Sequence, residues 1–438
     1  MEDLLKGFEA ADAKAWKQRI EKDLKGITFE QLQRLDTNGI TIDPFYVGNE
    51  QSQSAVFNHI DWEIISKIDV DDESVANQEA LYVLNSGTTA LYFNINIPNP
   101  DWSVLFKGIE MNFINTYIRV SDALTINTES LQAYILQNNI SSNNFSFGRD
   151  GYAAYFRTKD TSLLDSKDVL AFAGKIDIDN GLYFNSGANS VTQLAMAISH
   201  LQEELHNLSQ RNSINLLRAI EVEVASGTYF FEEIAKLRAL RQLIALLLQQ
   251  YGLAEVHVKI IAHSGKLQQA AFDIYNNLLR STISGMAAVL GGCDALCISR
   301  FDEVNEKGNK PFSLRMALNQ QLIFKEESYL NSIADVANGS YFIEELTKNL
   351  AEKAWDVFKK IEQEGGCLQS FDNGTLQKRI QEEAKLLIED YQIGKKLWVG
   401  INKYPNPKDL PVQKENALKL NTSVIQELNL LDYLSFDK

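Results

Sequence analysis

The chain has 438 residues, too many for one small core and enough for one large domain with extensions. Hydrophobic residues make up 45% and charged residues 23%, a composition typical of soluble globular proteins and not of disordered chains. The formal net charge of −16 argues against nucleic acid as the main partner, because phosphate binding needs clustered Lys and Arg.

Residues 1–60 are predicted to form an N-terminal arm. A charged amphipathic helix within residues 1–26 lacks the basic segment and apolar core of a signal peptide. It is followed by "TNGITIDPFYVGNEQ", which carries Gly, Pro and Asn turn signals and little periodicity. A long arm must pack on something to offset its ordering entropy. Its support is either the rest of this chain or another chain.

From residue 74 onward, helical and strand patterns alternate. A helical segment at 74–87 ends on Gly87, a C-cap signal. The predicted strands are 89–97, 112–120, 143–148, 169–176, 181–185, 219–226, 256–263 and 293–299. The clearest crossover helices are 188–205, 229–252 and 276–292. Eight strands with intervening helices favour an α/β fold, a (β/α)₈ TIM barrel over residues 61–365.

Two features leave the strand count open. The fourth and fifth predicted strands are close together, with no obvious helix between them. The alternative is an open doubly wound sheet, but no G-x-G-x-x-G follows the first strand. In the strand 89–97, Leu91, Phe93 and Ile95 share one face and either fill the barrel interior or face the helices.

Residues 366–438 are predicted to form a C-terminal helical extension. Amphipathic helical patterns at 348–366 and 375–396 precede the short strand "LWVGINKYPNP" and a last helical stretch. The apolar run at 243–250 is far shorter than a membrane span of ~20 residues. We therefore expect a cytoplasmic protein without a membrane partner.

The cysteines predict no metal or disulfide site. Cys293, Cys297 and Cys367 are an odd number and include no Cys-x-x-Cys pair, which argues against a disulfide framework or a zinc site. Cys293 and Cys297 lie four residues apart, but we interpret them as small buried residues near a core strand.

Several motifs in the C-terminal half occur in an order that resembles the methylmalonyl-CoA mutase family. They are "YFFEEIAKLRALRQL", "YNNLLRSTISGMAAVLGGCDAL", "FDE", "SLRMALNQQLIFKEESYLNSIADVANGSYFIEELT" and "WVGINKY". The resemblance is strong over 180–405 and weak over 25–180. It implies a TIM barrel threaded by the CoA tail, with the acyl group at the barrel centre. It also implies a separate flavodoxin-like domain that supplies the cobalamin.

The residues that the family uses for catalysis are not matched here. A family Tyr-His pair, whose histidine hydrogen-bonds the thioester carbonyl, precedes Ala-Gly-Ala. Here "NGLYFNSGANSVTQLA" places Ser186, Gly187 and Ala188 in that position, without a histidine. Asn185 or Tyr183 is the alternative hydrogen-bond donor. The family tyrosine of W-T-I-R-x-Y is replaced by Lys67 in "WEIISKI".

The histidines also have ordinary interpretations. The family's Q-T-S-G stretch becomes "AHSG", and we interpret His263 as a strand-end residue in an unused pocket, with a catalytic role as the alternative. His257 is interpreted as an ordinary strand residue. His200 and His206 lie on an amphipathic helix and are predicted to be surface or groove residues. No residue of this chain is therefore predicted to be catalytic, cofactor-binding or metal-binding.

These departures lead to a functional expectation. No Asp-x-His occurs in the sequence, so the cobalt-ligating Asp-x-His-x-x-Gly motif is not matched. The chain resembles the non-catalytic small (beta) subunit of a heterodimeric mutase, whose large (alpha) subunit binds adenosylcobalamin and interconverts succinyl-CoA and methylmalonyl-CoA. The alternatives are a catalytic half that recruits cobalamin from a separate small subunit, or a stand-alone acyl-CoA-binding barrel.

The resemblance also suggests where the partner binds. N-terminal segments of the family wrap around the neighbouring subunit, so the arm is the predicted subunit contact. Its candidate apolar strip contains Ile40, Ile42, Pro44, Phe45 and Tyr46, interrupted by Asp43.

Overall fold

The computed structural model describes residues 12–47, 56–122, 124, 128–141, 144–164, 174–304, 310–406 and 423–434. Eight parallel strands in these ranges form one sheet that is nearly closed as a barrel, which confirms the predicted (β/α)₈ architecture. A two-stranded antiparallel hairpin, β1 (Arg34–Leu35) and β2 (Thr41–Ile42), precedes them.

The barrel strands follow each other around the wall in the order β6-β5-β4-β3-β10-β9-β8-β7. They are β3 (Glu63–Val70), β4 (Ala90–Ile95), β5 (Asn115–Val120), β6 (Phe145–Gly148), β7 (Lys175–Asp179), β8 (Ala219–Ser226), β9 (His257–Ser264) and β10 (Ala295–Cys297). The edge strands β6 and β7 lie side by side. Lys175 Nζ donates to the Phe145 carbonyl across this seam at 2.9 Å.

The main helices surround the sheet and extend beyond it. They are α1 (Ala13–Asp23), α2 (Glu73–Leu84), α3 (Trp102–Leu105), α4 (Thr128–Gln137), α5 (Gly151–Thr158), α6 (Gly181–Asn185), α7 (Ser190–Gln210), α8 (Phe230–Gln250), α9 (Tyr275–Leu290), α10 (Lys310–Leu322), α11 (Tyr341–Gln363), α12 (Gly366–Asp372) and α13 (Thr375–Gln392). Every helix among the described residues is too short or too polar to cross a membrane.

Two strand predictions are corrected by the structure. The segment 181–185 is the short helix α6, not a strand. The missing eighth strand is β3, which precedes the first strand that the alternation predicted. Of the predicted strand 169–176, residues 169–173 lie outside the described residues, and β7 begins at Lys175. A five-residue apolar run does not distinguish a strand from a buried helical turn.

The two faces of the strands carry different chemistry. Leu91, Phe93 and Ile95 are fully buried in the core between the sheet and its helices, so they do not fill the barrel interior. Tyr92, between them, faces the interior with Tyr117 and other strand residues. The helix-facing side of each strand is therefore apolar, and the polar residues point inward.

The arm packs on its own chain. Ile40 and Ile42, 3% and 7% exposed, belong to the main hydrophobic core. Nearby, Asn38 Nδ2 donates to Glu232 Oε1 on α8 at 2.9 Å. The Tyr46 ring lies 5.2 Å from the Phe342 ring on α11. Two members of the candidate contact strip are thus buried within this chain and are not free to contact a partner.

The described part of the C-terminal tail returns to the carboxyl ends of the barrel strands. The backbone N–H of Ile425 donates to the Phe156 carbonyl at 2.8 Å, and that of Leu428 donates to the Asn185 carbonyl at 2.7 Å. The Leu428 side chain packs in a second apolar cluster with Phe184. The tail therefore lies against the end of the barrel at which TIM-barrel sites are found.

Candidate functional site

A cavity of about 290 Å³ opens at the carboxyl ends of the barrel strands. Polar side chains from β3, β4, β7, β8 and β9 line it. A second cavity of about 230 Å³ adjoins it and shares part of its lining. The shared residues are Tyr92, Asn94, Arg157, Asp179 and Glu223. We call this open end of the barrel the mouth. It is our candidate site, because TIM-barrel proteins carry their functional groups at the carboxyl ends of the strands.

The floor of the mouth is a buried ion cluster centred on Arg119 of β5. Its Nε lies 2.5 Å from Glu223 Oε1 and 2.9 Å from Asp177 Oδ2, and its Nη2 lies 2.9 Å from Glu221 Oε2. Nη1 donates to Ser146 Oγ at 3.0 Å. These partners come from β6, β7 and β8, so the guanidinium bridges the barrel interior.

Electrostatics favour the charged forms of Arg119, Glu221 and Glu223, whereas burial and the neighbouring Glu223 and Glu221 carboxylates raise the Asp177 pKa well above its usual value. Burial disfavours the Arg119 charge, but the neighbouring carboxylates outweigh burial and hold the Arg119 pKa well above its usual value. Burial likewise opposes ionisation of Glu223, yet Arg119 and His263 hold the Glu223 pKa well below its usual value. A second cation, Lys175, lies 3.2 Å from Glu221 Oε1. The Glu221 and Glu223 carboxylates are therefore neutralised by protein cations.

A second polar layer lies nearer the amino ends of the strands. Glu63 Oε2 accepts from the Tyr117 hydroxyl at 2.5 Å, and Lys259 Nζ lies 2.7 Å from Glu63 Oε1. Lys259 also donates to the Tyr117 hydroxyl at 2.8 Å. These contacts join β3, β5 and β9 across the interior. Two successive layers of side chains therefore occupy the barrel interior.

His263 lies at the mouth, directly above the Arg119 cluster. Its Nε2 is 3.0 Å from Glu223 Oε2, and its ring meets the Tyr92 ring edge-on at 5.3 Å. Burial lowers the His263 pKa, but hydrogen bonding with Cys297 and the Glu223 carboxylate outweighs burial and raises it to about 10. The strand-end position was predicted, whereas the ion pair that keeps this imidazole charged was not.

The two alternative donors for a thioester carbonyl are both engaged. The Tyr183 hydroxyl is fully buried and lies 2.6 Å from His200 Nε2, on the helix side of the barrel wall. Asn185 lines the cavity, and its Oδ1 accepts from the backbone N–H of Lys266 at 2.9 Å. Only Asn185 is therefore placed at the mouth.

The surface prediction for His200 is wrong. His200 is 1% exposed, and its Nδ1 lies 2.7 Å from Asp150 Oδ2. Its other ring nitrogen is the one that meets Tyr183, so both nitrogens are satisfied inside the protein. A histidine on an apolar helix face can be buried where such partners exist, and here they come from distant parts of the sequence.

Lys67, which replaces the tyrosine of the family motif, lines the cavity at the mouth. Its Nζ lies 3.7 Å from Glu303 Oε1 and 4.0 Å from Asp69 Oδ1. Burial lowers the Lys67 pKa, but these carboxylates outweigh burial and raise it. The position that carries an aromatic ring in the family motif here holds a paired ammonium group.

Sequence reasoning missed the charged interior residues. They are Glu63, Arg119, Lys175, Asp177, Glu221, Glu223 and Lys259. The signal was present as charges at every second position, in "KIDID" and "AIEVEVAS", within otherwise apolar strands. Such alternation places a charged set on one face, and in a closed barrel that face is the interior.

Comparisons with known proteins complete the description. The family model described as methylmalonyl-CoA mutase matches residues 130–432. The methylmalonyl-CoA mutase small subunit of Porphyromonas gingivalis is 27% identical over 449 residues, covering 92% of this chain and 71% of that protein. The probable small subunit of Mycobacterium bovis is 33% identical over 243 residues, covering 53% and 38%. The large subunit of Propionibacterium freudenreichii is 33% identical over 202 residues, covering 45% and 27%.

Proposed function

The chain belongs to the methylmalonyl-CoA mutase family, and from this premise we propose that it is the non-catalytic small subunit of a heterodimeric, adenosylcobalamin-dependent mutase. The large subunit of the proposed complex interconverts succinyl-CoA and methylmalonyl-CoA. This chain stabilises that subunit and restrains the motions that seal its site. The names of the Porphyromonas and Mycobacterium relatives support the small-subunit assignment, and the Propionibacterium name supports a large-subunit partner.

One observation carries the non-catalytic role: side chains bridge the barrel interior where the family's CoA tail would run. Arg119 and Glu223 join opposite walls at 2.5 Å, and Tyr92 donates to Glu223 at 2.9 Å from a third strand. A threaded tail would have to break these contacts and leave charges buried without partners, which costs several kcal/mol. A barrel with this interior supports a structural role better than a catalytic one.

The residues at the mouth do not fit cobalamin. An imidazole that ligates a metal must offer a neutral ring nitrogen. His263 lies against Glu223 at 3.0 Å and retains its proton, since its pKa is raised to about 10 by Cys297 and Glu223 against the effect of burial. His200 uses both ring nitrogens within the protein. We therefore assign adenosylcobalamin to the large subunit and derive no step through it in this chain.

Binding to the isolated chain tests the assignment. Titration calorimetry with coenzyme A and with adenosylcobalamin is expected to give no saturable heat at micromolar concentrations. Since the proposed partner supplies both sites, the co-expressed pair is expected to bind both ligands. Micromolar binding of either ligand by this chain alone, at a defined stoichiometry, would overturn the non-catalytic role.

Turnover of the complex provides a second test. The variant Asn185→Ala removes the one alternative thioester donor that faces the cavity, and the mutase activity of the complex is expected to stay within a few-fold of wild type. A loss near the ~10²–10⁴-fold typical of a general acid–base group would show that this barrel takes part in the chemistry. Size-exclusion chromatography of the pair confirms that the variant still assembles.

A further inference from the structure

The barrel helix α9 has an apolar outer surface. Its exposed positions are Tyr275, Leu279 and Ile283, whose side chains are 64%, 61% and 40% exposed. They follow each other at intervals of four residues and therefore lie on one side of the helix. Arg280 is the only charged residue of α9, and its Nη2 donates to the Val399 carbonyl of this chain at 2.5 Å. The outward row of α9 is thus uncharged.

Other helices on the outside of the molecule are different. Except for Leu386, every exposed side chain of α13 is charged or polar. Except for Tyr341, the same holds for α11. A surface helix normally carries polar residues on the side opposite its core-facing side. The apolar outer row of α9 departs from this rule, as a helix does when an assembly covers it.

Two neighbouring segments extend this apolar surface. The end of α10 lies along α9, because Gln320 Nε2 donates to the Thr282 hydroxyl at 2.6 Å, and Ile323 follows within one turn and is exposed. Val399, whose carbonyl accepts from Arg280, is exposed as well. We call the exposed apolar residues the α9 face: Tyr275, Leu279, Ile283, Ile323 and Val399.

The α9 face is large enough for a permanent contact. With ~200 Å² for a fully exposed large side chain, the exposed fractions of its five residues correspond to roughly 500 Å² of apolar surface. A standard interface buries ~800 Å² on each partner, and about 57% of that area is apolar. The α9 face alone therefore supplies the apolar share of one side of such an interface.

We propose, resting on the function proposed above, that the large mutase subunit docks on the α9 face. The predicted contact in the arm is not available, because Ile40 and Ile42 are buried in the core of this chain. The large subunit of Propionibacterium freudenreichii is 33% identical to this chain over 202 residues, so the proposed partner contains a homologous stretch. Homologous chains can pair through equivalent faces, as identical chains do in isologous dimers.

A second copy of this chain is a less favourable occupant. Each copy carries a formal net charge of −16, and a net charge far from zero keeps proteins monomeric through repulsion. The α9 face itself contributes no charge that would offset this repulsion between two copies. The core of a subunit interface is poor in charged residues, which the α9 face matches for a different partner.

The experiment measures how tightly the purified large subunit binds the immobilised full-length chain by biolayer interferometry. Leu279→Glu places a carboxylate within the α9 face and should raise the Kd by roughly 10²-fold, because central interface positions dominate affinity. Leu386→Glu is the matched control, since Leu386 is a 63% exposed leucine on α13, and it should leave the Kd unchanged. Both positions are exposed, so both variants should fold, which thermal denaturation establishes.

Hydroxyl-radical footprinting of the wild-type pair provides a measurement without variants. Oxidation of Tyr275 and Leu279 should fall when the large subunit binds, whereas oxidation of Leu386 should stay the same. The proposal can therefore be refuted even if Leu279→Glu does not fold.

The outcomes separate this proposal from the function on which it rests. If the wild-type chain does not bind the large subunit, the proposed function fails and the docking surface fails with it. If the wild-type chain binds, but Leu279→Glu binds equally well or Tyr275 stays equally oxidised, only the docking surface is overturned. Sedimentation of the isolated chain tests the other occupant: self-association that Leu279→Glu abolishes would assign the α9 face to a second copy and overturn the proposal.

Discussion

Replacing Arg119 by methionine tests whether the buried ion cluster holds the barrel together. The guanidinium donates to three carboxylates and one hydroxyl while its side chain is 8% exposed. Each charge-assisted hydrogen bond contributes roughly 1.5–3 kcal/mol, but the desolvation of Arg119 offsets much of their sum. Leaving the carboxylates buried without this partner is expected to cost about 3–5 kcal/mol of the free energy of unfolding.

The expected change can be measured by thermal and chemical denaturation. At roughly 2.1 cal/mol/K of unfolding entropy per residue, a chain of 438 residues loses about 3–5 °C of Tm for this change in stability. Lys266→Met is the control, because Lys266 and Glu427 form a pair 3.3 Å apart whose side chains are 46% and 45% exposed. An exposed pair of this kind contributes less than about 1 kcal/mol.

The pH dependence of the stability difference between wild type and Arg119→Met tests the same prediction. The Glu223 pKa is lowered in the folded protein, so its contribution to stability is present above its unfolded pKa and is lost as the pH falls. In Arg119→Met the carboxylates lose their cation and protonate more readily in the folded state. Acidification from pH 7 to pH 5 should therefore narrow the stability gap between wild type and variant. A loss below about 1 kcal/mol at pH 7, or a gap that widens in acid, would refute the reasoning.

Three further predictions follow from local geometry. Ile40→Ala should lower the free energy of unfolding by about 2–5 kcal/mol in chemical denaturation, because Ile40 is 3% exposed. Leu35→Ala, at a 68% exposed position, should change the free energy of unfolding little. Equal effects of the two substitutions would place the arm outside the core. Gly265→Ala should cost about 1–3 kcal/mol, since its Cβ would lie 2.2 Å from the Phe184 ring. Adding Phe184→Leu should recover part of that loss, and no recovery would exclude this clash as the cause. The folded-state His263 pKa is raised to about 10, so the imidazolium contributes fully to stability below its unfolded pKa near 6.5, and this contribution is lost as the pH rises through 10. The unfolding free energies of wild type and His263→Gln should therefore converge as the pH rises over this range. A constant difference between the two free energies would argue against the ion pair.

The alternation of strand and helix patterns was sufficient to predict the barrel, because period-two and period-3.6 burial are local properties of the chain. The alternation was insufficient where a local sequence pattern was compatible with two different structures. The run at 181–185 is apolar enough for a strand and forms a helical turn. Leu91, Phe93 and Ile95 were placed on one face correctly, but whether that face met the interior or the helices depended on barrel closure.

The motif comparison singled out Lys67, Asn185 and His263, and the structure places all three in the lining of the mouth cavity. It did not predict the contacts that decide their chemistry. Arg119 and Glu223 are 104 positions apart in sequence, and their contact forms only when strands on opposite walls of the barrel close around a shared interior. The residues that alternate along one strand are determined by the sequence itself. Which charges neutralise each other across the barrel is decided by strand order and register, because an ion pair requires a separation of a few ångströms that no local pattern encodes.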